Sequence, residues 1–275
     1  MFRKFIIPAC FIFLLGNSVH AATYTMQATG GNWDTNTVWT PSWTSRLPGD
    51  VAIVSLNSNA TATLGTGTYT CDVQFSSGTI SGSNITFSRT NFHQTGGTFR
   101  STGTVTFGTG VGNVANYTLS GGTFDSKIFN LGMDRSTASL DISGSTVTFG
   151  ASTLENVTLG GDGGNVVINM SGQSFVASKS NSYLGTATNY TTHAELNLDS
   201  GLMQFSGASL SIGHTPNTGS AGYAYATVNQ TGGTMQGATI YIGVNRAETV
   251  YNLLGGTLTG TVLVGSGTSG GSAPS

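Results

Sequence analysis

One phrase recurs along this chain and limits what it can fold into: apolar-x-apolar-x-Gly-Gly-Thr-apolar, clearest at Tyr117 to Phe124 and Tyr251 to Leu258. With drift it occurs eight times, anchored at Ser77, Gly96, Gly121, Gly144, Gly172, Ser200, Gly232 and Gly255, at spacings of 19 to 32 residues. Four residues before each anchor stand Val73, Phe92, Tyr117, Leu140, Ile168, Leu196, Val228 and Tyr251. Three residues after it stand Ile80, Phe99, Phe124, Val147, Phe175, Met203, Met235 and Leu258, so both positions are always apolar. Two residues before the anchor the pattern is apolar in six copies, with Gln94 and Gln230 as the exceptions. The positions between are mostly hydroxyl or amide residues, the period-2 signature of strands with one buried face.

A second motif, apolar-x-apolar-Gly, follows most anchors, as in Val105 to Gly108, Phe129 to Gly132, Val157 to Gly160, Leu210 to Gly213, Ile240 to Gly243 and Val262 to Gly265. A unit of two or three short strands with glycine at its corners cannot bury its own apolar face, so neighbouring units must stack. The expected fold is all-β: a single-stranded parallel β-helix, or β-solenoid, of about eight to nine coils. A β-propeller needs roughly 40 residues or more per repeat, more than these units supply.

Residues 1–21 read as a secretory signal: Arg3 and Lys4, the apolar run Phe5 to Leu15, then Val19-His20-Ala21 as the cleavage site. The chain is therefore expected to be exported. No later stretch reaches the 18 apolar residues of a membrane helix. Removing the signal leaves seven basic residues against eleven acidic ones, a net charge near −4, which argues against nucleic acid as a partner. Charged residues make up only 7% of the chain, so its surface must be mostly Ser, Thr, Asn and Gly. Of the two cysteines, Cys10 lies in the signal and Cys71 is left alone, so stability must come from stacked apolar columns and backbone pairing rather than from a disulfide.

Residues 22–58 hold all three tryptophans, Trp33, Trp39 and Trp43, and read as a cap on the open end of a rod. An aromatic platform for sugars is the rival reading of the same residues. The repeats occupy 59–265, and 266–275 have the Gly/Ser composition of a linker.

Gly31-Asn-Trp33, the spaced Trp39, and Pro48-Gly-Asp-Val-Ala-Ile53, leading into Gly-Gly-Thr repeats, resemble the exported bacterial proteins with autotransporter-associated β-strand repeats. The resemblance covers about residues 28 to 265. It implies a right-handed β-helical passenger on or beyond the outer membrane, serving adhesion or surface display. Such chains usually continue into a membrane barrel or a sorting tail, and neither is visible here.

Ionisable residues gather after the apolar-x-apolar-Gly corners: Asp134 and Arg135, Asp162, His193 and Glu195, His214, and Arg246 with Glu248. In-register stacking would bring these segments to one side of the rod, where loops on a rigid scaffold tend to carry function. Arg135, Glu195, Tyr223 and Arg246 are the candidates for facing a ligand. Asp134 and Asp162 each fall two residues after a corner glycine, about one strand spacing apart, near the separation of paired carboxylates in retaining glycosidases. The candidates for catalysis are thus Asp134, Asp162, His193 and His214, and the enzymatic alternative is a polysaccharide lyase or glycosidase.

Single carboxylates on turns are far commoner, and no cofactor or metal motif is present. The Gly-rich tail segments require a following helix to bind phosphate or hold a nucleophile, and none follows. The leading expectation is a non-catalytic cell-envelope stalk, adhesin or passenger. Its expected partners are surface glycans or other envelope components, and its oligomeric state is left open.

Overall fold

A computed structural model describes residues 22–43, 50–150, 154–178, 181–216 and 221–265. The expected signal (1–21) and the linker-like tail (266–275) lie outside the described residues. Among those described the chain is almost entirely strand, its one helical element being a single 3-10 turn at Asn36–Val38.

Alternating patterning makes the strands, and the corner glycines break them into three parallel ladders. The first ladder begins at Thr23–Met26, Val51–Ser55, Asp72–Ser77, Asn91–Gln94 and Val114–Leu119, and ends at Ala224–Gln230 and Ala247–Leu253. The second takes the segments just after each anchor, from Gly30–Asn32 and Thr61–Thr63 to Thr257–Val264. The third runs from Gly67–Tyr69 through Ile85–Phe87, Thr104–Thr109, Ile128–Met133 and Asn156–Gly161 to Ser182–Thr186 and beyond. The chain visits the ladders in that order and then steps to the next position on the first, a connectivity compatible with a β-solenoid. The one antiparallel pairing among the described residues sets Thr25 and Met26 against Thr40 and Trp39.

The register confirms the repeat alignment at the position four before the anchor. Val73, Phe92, Tyr117, Leu140, Ile168, Leu196, Val228 and Tyr251 are successive strand partners. The column also extends backward through Ala52 to Tyr24, so strands of the 22–58 segment take up the same stacking.

The position three after the anchor needs one correction. Phe149, rather than Val147, pairs with both Phe124 and Phe175, because an irregularity between Gly144 and Thr148 shifts the register. The rings of Phe99, Phe124, Phe149 and Phe175 form a continuous stack with centroids 5.2, 4.4 and 4.6 Å apart. All four are fully buried. Stacked aromatic pairs of this kind contribute beyond their area burial, by about 0.5–1.5 kcal/mol each.

The Gly-Gly of the repeat follows from close stacking. A Cβ on Gly121 would lie 2.2 Å from the carbonyl oxygen of Thr95 on the preceding rung. Gly122 has φ +88°, which a side chain disfavours, and its Cβ would meet Gly97 O at 2.3 Å.

The tryptophans pack at the N-terminal end. Trp39 meets Trp33 and Trp43 edge-on, both at 4.8 Å, and Tyr24 stacks on Trp43 at 4.5 Å. Trp39 Nε1 donates to Trp33 O at 2.9 Å, and Trp43 Nε1 donates to Asp50 Oδ2 at 3.3 Å. All three indoles are at most 3% exposed, so none offers a ring face to a sugar. Burial, rather than ligand stacking, accounts for their clustering.

Candidate functional site

The site expected from sequence lies at the corner where each third-ladder strand hands over to the next first-ladder strand. The corner glycines Gly132, Gly160, Gly185, Gly213 and Gly243 all have positive φ, which turns the chain sharply and starts the loop. Asp134, Arg135, Asp162 and Asn245 share that left-handed backbone, at φ 53°, 61°, 40° and 59°. Asp and Asn tolerate it because a short polar side chain can bond locally, whereas an arginine there is uncommon.

Asp134 and Asp162 do occupy equivalent places on adjacent rungs, since Met133 pairs with Gly161 and Asp134 N donates to Gly161 O at 3.1 Å. The Asp162 carboxylate, however, is engaged by the following rung. Its Oδ1 accepts from the amides of Asn189 (2.6 Å), Tyr190 (3.0 Å) and Thr188 (3.2 Å), and Oδ2 accepts from Asn189 Nδ2 (3.2 Å). Partial burial works to raise its pKa, but these four donors together outweigh that and hold the carboxyl below its usual range. A general acid in a glycosidase needs the opposite shift.

The remaining candidates each have partners of their own. His193 opens a first-ladder strand and lies flat on Tyr225, with centroids 4.9 Å apart and planes 6° from parallel. Glu195, two residues on, accepts from Asn229 Nδ2 at 3.5 Å. His214 ends a third-ladder strand, leans on the Tyr183 ring at 5.0 Å and lies 3.4 Å from Thr186 Oγ1 through Nδ1. Burial lowers its pKa and favours the neutral imidazole. Arg135 sets its guanidinium carbon 4.3 Å from the centroid of the Tyr190 ring, and Arg246 lies 4.4 Å from that of Tyr223. Arg246 Nη2 also donates to the Tyr223 hydroxyl. No three His, Cys, Asp or Glu side chains converge as metal ligands among the described residues.

Sequence reasoning missed two features. Tyr190 sits in a post-glycine segment like the other corner residues, and an aromatic at that place was the available signal. The second is a row of four asparagine amides, begun by the Asp141 carboxylate, on the outer face of the first ladder. Asn169 donates to Asp141 at 2.6 Å, Asn197 to Asn169 at 3.0 Å, Asn229 to Asn197 at 2.9 Å and Asn252 to Asn229 at 2.8 Å. All five residues stand three before their anchors, so the aligned repeats held the signal.

Comparison of the chain with protein families, with curated proteins and with solved structures finds no match.

Proposed function

We propose that this chain is an exported, non-catalytic β-helical protein of the bacterial cell envelope or surface, serving as a stalk, adhesin or passenger. On this reading the solenoid is single-stranded and right-handed, as parallel β crossovers almost always are. Its coils number about nine, a reading supported by the nine third-ladder strands among the described residues. The rod would then be about 40 Å long.

One observation carries this reading. The corner side chains best suited to chemistry grip neighbouring rungs: Asp162 holds the 188–190 loop, Arg135 covers Tyr190 and Arg246 covers Tyr223. Groups held in this way lend themselves to stiffening a rod and presenting a fixed surface. The row of asparagine amides that starts from the Asp141 carboxylate fits a surface that meets glycans or other envelope components through hydrogen bonds.

The test is to express the full chain with its own leader in a Gram-negative host, then fractionate the cells and digest intact cells with protease. Recovery in the envelope or medium with surface cleavage is expected, and recovery in the cytosol overturns the reading. Incubating the purified protein with acidic and neutral polysaccharides should release no cleavage products. Cleavage that disappears in Asp134→Ala or Asp162→Ala would establish the enzymatic alternative instead.

A further inference from the structure

Asp50 places a carboxylate where the fold otherwise puts small apolar groups. It stands one residue before Val51 on the first ladder, at the level that later rungs fill with Ala115, Ala138, Val166, Ala194 and Ala226. Its side chain is 2% exposed. Oδ1 accepts from Ala22 N at 3.0 Å, and Oδ2 accepts from Trp43 Nε1 at 3.3 Å. The Asp50 carbonyl accepts from Asp72 N at 2.7 Å, and the next amide, Val51 N, donates to Ala22 O at 2.8 Å. Asp50 and Val51 thus grip Ala22 through both its nitrogen and its carbonyl, just before Thr23–Met26 opens the first ladder. Tyr24 on that strand stacks on Trp43 at 4.5 Å, so one carboxylate joins the outermost strand to the tryptophan cluster.

The nitrogen that meets Oδ1 is the one that cleavage after Val19-His20-Ala21 would release. We propose that removal of the leader turns Ala22 N into an α-ammonium that pairs with the Asp50 carboxylate, so that export processing itself locks the N-terminal cap. In that step an envelope signal peptidase adds water across the peptide bond between Ala21 and Ala22. The water oxygen stays on Ala21 as part of its new carboxylate, and both water protons end on the Ala22 nitrogen. With residue 21 still joined, the same nitrogen is a neutral amide and offers the hydrogen bond alone. The ammonium adds a short-range attraction to a carboxylate shielded from solvent, where salt screens little. Ala22 itself is only half-buried, so its ammonium keeps part of its hydration. That limits the desolvation cost which often cancels the gain from a fully buried pair. The lock acts on the strand that needs it, since Thr23–Met26 is the first rung of its ladder and is held by the strand of Val51 on one side and by Trp39 and Thr40 on the other.

This inference rests on the reading of the chain as an exported protein. The test expresses the full chain with its own leader in a Gram-negative host and reads the start of the recovered protein by intact mass and N-terminal sequencing; a start at Ala22 is expected. The chain from Ala22 onward is then compared by calorimetry with the same chain preceded by two glycines, which keeps the Ala22 amide and moves the ammonium away. The form that begins at Ala22 should unfold about 2–4 °C higher, and exchange of its Val51 amide should be about five-fold slower. Acetylation of the Ala22 nitrogen should abolish both differences. In Asp50→Asn, which keeps an acceptor oxygen without the charge, the two forms should unfold within about 1 °C of each other. Should Asp50→Asn fail to fold, the glycine and acetyl comparisons decide alone, because neither alters a core residue. A start at another residue, equal midpoints for the Ala22 and glycine-extended forms, or a difference that persists at full size in Asp50→Asn overturns the proposal. An exported protein that begins at Ala22 and gains no stability defeats the lock alone, whereas recovery of the unprocessed chain in the cytosol defeats the functional reading beneath it.

Discussion

The Tyr117 hydroxyl donates to Gln94 Oε1 at 2.6 Å, across one rung and inside the core. Gln94 in turn donates to the carbonyls of Thr123 (3.0 Å) and Gly97 (3.3 Å). The same device recurs near the other end. Tyr251 donates to Gln230 Oε1 at 2.5 Å, and Gln230 donates to Thr257 O at 3.0 Å and Gly233 O at 3.3 Å. The two glutamines that broke the apolar pattern are therefore each matched by a tyrosine one repeat later. Replacing either partner alone leaves a buried polar group unpaired, which costs about 1–3 kcal/mol. Gln94→Leu and Tyr117→Phe should each lower the urea midpoint, and the double variant should lose about 1 kcal/mol less than their sum. Strict additivity would show that the pair does not act as a unit.

The tyrosines also predict an alkaline limit. Burial pushes Tyr251 up to about 12 from its ordinary 10, and it pushes the fully buried Tyr117 well above its usual value. The folded chain thus keeps protons that the unfolded chain releases. Stability from this source is complete below about pH 10 and falls as pH rises toward 12. Urea midpoints measured from pH 8 upward should hold level and then drop above about pH 10. Tyr251→Phe should shrink that drop while leaving the part due to Tyr117.

Asp162 gives the opposite sign at the acid end. Its carboxyl is held below its ordinary 3.8 by donors from residues 188–190, so its contribution is present above the unfolded pKa and is lost as pH falls through the lower folded one. Hydrogen-exchange protection of the Asn189 and Tyr190 amides should therefore fall in acid, below about pH 4. At neutral pH, Asp162→Ala should produce the same local loss while leaving core amides such as Leu140 protected. A uniform loss across the chain would mean that the carboxylate acts on the whole rod rather than on one loop.

Much of this architecture was legible in the sequence because stacking forces equivalent residues into one column. The apolar residues from Val73 to Tyr251 align as the repeat predicts. Phe149 escaped because register in a β-ladder is set by pairing, and the irregularity after Gly144 carries the chain past Val147 before pairing resumes. The corner loops were found from the positions of their charges, and the rung-by-rung register brought Asp134 and Asp162 into line as expected. Side-chain direction was not written there. Nothing in the spacing of Asp162 says that its carboxylate points at the next rung's amides, and nothing in the pattern ties Arg135 to an aromatic two repeats on. Such contacts depend on rotamers and loop conformation, which periodicity does not encode.

Ser182 is where the pattern and the core disagree, and it yields the sharpest stability prediction. It pairs with Leu210 in a third-ladder column that continues through Ile240 to Val262. Its side chain is 0% exposed, and its Oγ has no hydrogen-bond partner among the described residues. A buried hydroxyl without a partner forfeits its hydration and gains nothing in return, at a cost of about 1–3 kcal/mol. Alanine removes that oxygen and is smaller by little else, so the cavity left is slight. Ser182→Ala should therefore stabilise the chain by about 1 kcal/mol, a rise in thermal midpoint of about 2–4 °C for a chain of this size. A fall of the same size, measured by calorimetry, would mean that the hydroxyl is bonded in solution and that this column needs its polar member.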